Sequence, residues 1–92
     1  MYQEDTGKLK KETLDQHKAI KSLCEELEAW DFYDQRVDVA EDGELKAILG
    51  HNRDEEKEHA AMLIEWLRRH DETFEKELKD YLFTEKEIGH HE

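Results

Sequence analysis

Glu56 and His59 form the pattern Glu-x-x-His within a chain that contains no proline. On a helix, that spacing places a carboxylate and an imidazole on adjacent turns of one face. A third ionisable residue, Glu26, lies in a separate run of helix-forming residues, beside Leu23, Leu27 and Trp30. Withdrawing ionised carboxylates from water is costly unless a proton, a salt bridge or a metal ion compensates. Carboxylates neutralise and bridge divalent ions, and imidazole favours transition metals over Ca²⁺ or Mg²⁺. Carboxylate-rich di-iron sites take one Glu from each of two helices and a Glu-x-x-His pair from each of two others. One copy of this chain supplies half of that set: Glu26, Glu56 and His59. A two-fold pair of copies supplies all of it. Position 55 is Glu rather than His, so the zinc-protease pattern His-Glu-x-x-His is absent.

A Glu-x-x-His pair on a charged helix is ordinarily solvated or salt-bridged. Its place in the sequence favours the ligand reading. Glu56 falls seven residues after Leu49 and seven before Leu63, in the centre of an apolar stripe. Other polar groups lie off the stripes. Glu25, Glu28 and Phe32 share a face of the first helical run, roughly opposite its apolar side. His51, Glu55 and Glu58 share a flank of the second. Both groups read either as solvated charge or as weaker cation sites that feed or drain the central one. Tyr33, seven residues after Glu26, is placed to hydrogen-bond a ligand carboxylate from outside or simply to pack. Asp34 and Asp38 intrude on the first stripe without an assignable role. His17 and His70 read as structural, Cys24 as packing, and the His90-His91 pair is too short to interpret.

These residues need elements to hold them, and an all-α chain is the expectation. From about 10 to 40 the residues are mostly good helix formers, and Glu41-Asp42-Gly43 marks a turn. A second helix is expected from 44 to about 69, with Gly50 inside it. Asp71 is placed to cap a short third helix over about 72–83. Residues 1–8 and 84–92 read as loose tails. Ile20, Leu23, Leu27, Trp30 and Val37 form one apolar stripe. Leu45, Ile48, Leu49, Ala60, Leu63, Trp66 and Leu67 form another. The short connection favours an antiparallel hairpin, and the whole chain, 1–92, reads as a single helical-hairpin domain. A hairpin buries only one seam, so the monomer is expected to be marginal and a dimer to complete a four-helix bundle.

Composition narrows the partners. A net charge of −12, with charged residues at 43%, excludes the basic stripe that nucleic acid requires. No apolar run reaches the roughly 20 residues needed to span a membrane. No charged-then-apolar leader signals export, and the single cysteine fits a reducing, cytoplasmic compartment.

Three stretches carry a resemblance. SLCEELEAWDFYDQRVD (22–38) resembles the first helix of the encapsulated ferritins, the stretch 44–69 with HNRDEEKEHAAMLIEWLRR inside it their second, and DYLFTEK (80–86) their C-terminal region. The resemblance implies a two-helix ferritin-like protein whose dimers complete a ferroxidase centre and assemble into a ring of ten chains inside an encapsulin nanocompartment. It implies iron as the metal, two per dimer, oxidised from Fe²⁺ to Fe³⁺ with O₂. Glu26, Glu56 and His59 fall on the family's iron ligands and Tyr33 on a tyrosine beside them. Glu25 and Glu28 match an entrance site for metal; His51, Glu55 and Glu58 match an outer site. Phe32 stands where relatives carry tryptophan, which alters the aromatic gate. Glu72 stands where they often carry proline, which implies a less sharply started third helix. The shell-docking peptide that relatives carry at their C-termini is not recognisable before Glu92. Two rivals remain beside the ferroxidase. One is a non-catalytic helical assembly module with salt-bridged Glu and His, the other a zinc or manganese di-metal protein without oxidase chemistry.

Overall fold

The computed structural model describes residues 1–89, so the His90-His91 pair lies outside the described residues. Two long helices, α1 (Lys11–Val39) and α2 (Gly43–Arg69), are followed by the short α3 (Glu72–Tyr81). No strand occurs among the described residues. Only residues 40–42 separate α1 from α2, which pack against each other as an antiparallel hairpin, and α3 packs against the end of α2. The radius of gyration is 17.1 Å, against roughly 12 Å for a compact domain of this length.

Local chemistry explains the helix starts. The Asp42 carboxylate accepts from the Leu45 N–H at 2.8 Å, satisfying an orphan donor of α2. This cap draws Gly43 out of the expected turn and into the helix. Asp71 accepts from Phe74 N–H at 2.9 Å in the same way. With that cap, α3 starts at Glu72. Its end differs from expectation: α3 stops at Tyr81, and Phe83 takes a left-handed backbone with φ 56°. Helices commonly end on such a residue, but it is usually glycine, so the sequence carries no signal for it. The first eight residues are not wholly loose either. Thr6–Lys8 form a 3₁₀ turn capped by Asp5, and Tyr2 stacks on His17 with ring centroids 4.2 Å apart.

The seam between the long helices is thin. Among the described residues only Ala19, Ala60 and Leu67 are buried apolar groups. Leu23, Trp30, Val37, Leu49, Leu63 and Trp66 are half-buried, whereas Ile20, Leu27, Leu45 and Ile48 from the same stripes are about half exposed. The stripes are wider than the strip that one helix can cover on another. Cys24 is exposed, not packed as expected.

Polar contacts tie the far end of the hairpin together. Gln16 Nε2 donates to the His70 carbonyl at 2.9 Å, joining α1 to the α2–α3 corner. His70 stacks on Trp66 at 3.9 Å, and its Nδ1–H donates to the Trp66 carbonyl at 2.7 Å. Glu65 accepts from both Arg68 and Arg69 at 2.7 Å, which pulls its carboxyl down to about 2. Arg68 also approaches Glu75 of α3 at 3.6 Å.

Candidate metal centre

The middle of the hairpin holds the one group of three converging metal-ligand side chains among the described residues: Glu26, Glu56 and His59. The periodicity that put Glu56 between Leu49 and Leu63 turns it toward α1, and the antiparallel register sets Glu26 opposite. One ligand atom from each residue lies within 4.8 Å of the other two. Atoms bound to a common ion at ~2.0–2.2 Å sit at most ~4.4 Å apart, so the set lies within a small side-chain adjustment of closure. His59 Nδ1 is 3.3 Å from Glu26 Oε2 and 3.5 Å from Glu56 Oε2. To donate to either carboxylate Nδ1 must carry a proton, and a cation bound there takes that proton's place. All three are half-buried, with 25%, 21% and 41% of the Glu26, Glu56 and His59 side chains exposed. Two carboxylates and an imidazole form a donor set that suits a first-row transition metal better than Ca²⁺ or Mg²⁺.

The other expected site residues do not join this cluster. Tyr33 is half-buried, and what meets its ring is the Arg36 guanidinium at 5.1 Å, not a member of the cluster. Glu25 and Glu28 are exposed on α1, with Phe32 43% exposed nearby in sequence, and no third ligand converges on them among the described residues. His51 Nε2 contacts Glu55 across one turn, both on the surface. Glu58 stays apart from that pair and lines a shallow depression with Met62, Trp66 and His70.

Two residues next to the site acquire contacts that the sequence did not assign. Arg53 Nη1 donates to Asp34 across the hairpin at 3.2 Å, and Arg53 Nε donates to Asp54 at 3.1 Å. Hydrogen bonds donated to Asp54 and, less strongly, to Asp34 hold the Arg53 guanidinium firmly charged, against the cost of partial desolvation. Lys57 Nζ sits 5.0 Å above the Trp30 ring. The available signal for Arg53 was a lone cation three residues before Glu56. In a run as charged as HNRDEEKE it does not stand out.

Fold and cluster together define a class: a helical hairpin carrying a carboxylate–imidazole cluster in its seam. Comparison with known proteins narrows it. The EncFtn-like family pattern matches residues 1–85, and the chain belongs to that family. It is 64% identical over 80 residues to the encapsulated ferritin-like protein of Rhodospirillum rubrum, covering 87% of this chain and 57% of that relative. The chain therefore spans little more than half the length of that protein. It is 48% identical over 87 residues to a ferritin-like protein of Thermotoga maritima, covering 95% of this chain and 76% of the relative. The crystal structure of a Nitrosomonas europaea protein superposes with a TM-score of 0.92 at 67% identity, covering 97% of this chain and 98% of that one. No helix among the described residues is long and apolar enough to cross a membrane.

Proposed function

We propose that this chain is a ferroxidase, oxidising Fe²⁺ to Fe³⁺ with O₂ at a di-iron site completed by a second copy. The observation that carries the reading is the convergence of Glu26, Glu56 and His59 in the middle of the hairpin seam. Three donors from one chain leave about half the positions around an octahedral ion unfilled, and a two-fold axis beside the seam doubles every ligand. The exposed apolar flanks at Ile20, Leu27, Leu45 and Ile48 support such a pairing, because a second copy would cover surface that one hairpin leaves wet. Iron is the substrate here. Glu56 is the residue to bridge two ions, with Glu26 and His59 completing each half. His59 offers a ring nitrogen as donor, and the two Fe²⁺ each lose one electron, together reducing one O₂ to the peroxide level. Glu25 and Glu28 are the candidate entrance for metal, with Phe32 beside them. His51, Glu55 and Glu58 are a candidate outer site, and Tyr33 is a candidate outer support for the ligands. The names of the relatives support a ferritin-like role, and that of the Rhodospirillum rubrum relative an encapsulated one; dimers arranged as a ring of ten inside an encapsulin shell are what the resemblance implies.

Anaerobic addition of Fe²⁺ followed by air tests this reading. Two irons bound per dimer and oxidised promptly, with oxygen consumed, is the expected result. Binding without oxygen consumption would make the protein a di-metal binder of another kind. No binding at all would leave an assembly module whose Glu and His are salt-bridged.

A further inference from the structure

The half of the hairpin between the metal-ligand cluster and the α1–α2 turn has no fully buried apolar contact; its seam residues Trp30, Val37 and Leu49 are only half-buried. No residue from 27 to 59 is buried, and the buried apolar groups Ala19, Ala60 and Leu67 all lie at or beyond the cluster. Yet this half must hold Glu56 opposite Glu26 to within a fraction of an ångström. A slip of one residue along a helix moves a side chain by ~1.5 Å and swings it by ~100°.

Glu56 has a residue reaching α1 on each side. His59, three residues after it, meets Glu26 at 3.3 Å; Arg53, three residues before it, meets Asp34 at 3.2 Å. Steps of +3 and −3 on a helix fall ~60° to opposite sides of the starting residue, one turn above and one turn below. A helix tied to its neighbour along one flank can still roll about its own axis, and a tie on each flank stops the roll. When Glu26 and His59 turn to a cation they cease to hold each other, and among the described residues the Asp34–Arg53 tie is the cross-helix ion pair that remains beside the site. Arg53 suits this task. Its side chain is only 26% exposed, and its planar fork is held at two points, by Asp34 and by Asp54. On α1, Asp34 follows Ile20 and Leu27 at seven-residue intervals, so it continues their strip at the point where the chain replaces an aliphatic residue by a carboxylate.

We propose that Arg53 and Asp34 form a positioning pair for the metal centre, fixing the register and roll of α2 so that Glu56 points at Glu26. The proposal rests on the metal reading of the cluster. Its task is alignment, not chemistry: neither residue touches the metal.

Anaerobic Co²⁺ titration of the full chain provides a readout independent of oxidation, because the visible bands of Co²⁺ report coordination geometry. Arg53→Met and Asp34→Asn should each weaken Co²⁺ binding by about tenfold or more, the scale on which outer supports of metal ligands act. Each should alter the band shape while the far-ultraviolet helicity stays at the wild-type value. The double variant should be no worse than either single one, since the two residues act as a unit. Arg53→Lys keeps the charge without the fork and should fall between wild type and Arg53→Met. Wild-type affinity and wild-type bands in Arg53→Met would overturn the proposal. So would a loss of binding that merely follows a loss of helicity, with Arg53→Lys behaving like Arg53→Met. If the wild-type chain takes up no Co²⁺ and no Fe²⁺, the metal reading fails and the positioning role falls with it. If the wild type binds and the variants bind equally, the positioning role alone fails.

Discussion

The corner where α2 meets α3 and the middle of the hairpin are built from opposite materials. At the corner, Leu67 is buried, His70 stacks on Trp66, and Glu65 is clamped by two arginines. At the middle, the seam is occupied by Glu26, Glu56 and His59, and the buried apolar neighbour in sequence is an alanine, Ala60. One region gathers what folding needs. The other gathers like charges around a single imidazole, an arrangement that opposes folding unless a cation or a proton balances it. Proteins tolerate such a concentration where a ligand makes use of it, and on the proposed function the middle binds metal while the corner supplies stability.

The largest effects should come from the middle. Glu26→Ala, Glu56→Ala and His59→Ala should each abolish iron oxidation, because in a two-fold site each removes a ligand from both halves. Glu56→Gln sharpens the contrast. It removes one of two clustered carboxylates, so it should raise the melting temperature of the metal-free protein and lose the further rise that anaerobic Fe²⁺ gives the wild type. Paired melts with and without Fe²⁺ check both halves. A Glu56→Gln protein that melts below wild type without metal and still oxidises iron normally would break the assignment.

At the corner the order reverses, with stability lost and ligands kept. Leu67→Ala should cost about 2–4 kcal/mol, since it empties the one large buried apolar site among the described residues. For a chain this small that amounts to a fall of roughly 10 °C or more. Below the new melting temperature, Fe²⁺ stoichiometry should be unchanged. Asp71→Ala should cost about 1 kcal/mol through loss of the α3 cap, read as faster amide exchange confined to the first turn of α3.

The sequence made the contrast partly visible, and the reason differs by level. Both long helices could be placed because runs of good helix formers without proline are interrupted at Glu41-Asp42-Gly43. The cluster could be placed because helical period alone sets Glu56 and His59 on one face and within an apolar stripe. What could not be placed depends on the third dimension. Ile20 and Ile48 read as core but face solvent in a single hairpin, because a stripe shows which residues are apolar and not which of them a neighbour reaches. The end of α3 was hidden because Phe83 adopts the conformation usually left to glycine. Asp34 had no role until Arg53, 19 residues away, was found against it. Tyr33, placed by its seven-residue spacing from Glu26 to bond a ligand or simply to pack, has the Arg36 guanidinium over its ring in the single chain.

The smallest effect expected is a pH dependence that belongs to the corner alone. Hydrogen bonds from Arg68 and then Arg69 lower the Glu65 carboxyl from its ordinary 4.5 to about 2, outweighing the partial desolvation that would raise it. A carboxyl depressed in the folded state lends stability that is fully present above the unfolded value. That stability is lost as pH falls from about 4.5 toward about 2, where the folded carboxyl also takes up its proton. Comparing wild type with Glu65→Gln should therefore show a gap in melting temperature that is constant above about pH 5.5 and closes progressively through that window. The gap should be modest, because Glu65 is exposed enough for solvent to screen it, and Arg68 retains Glu75 as a second partner. Added salt should narrow the gap further, whereas the buried contact of Leu67 should be insensitive to it. Iron uptake at neutral pH should be the same in both proteins. A Glu65→Gln variant that lost iron binding would erase the division between a corner that stabilises and a middle that binds.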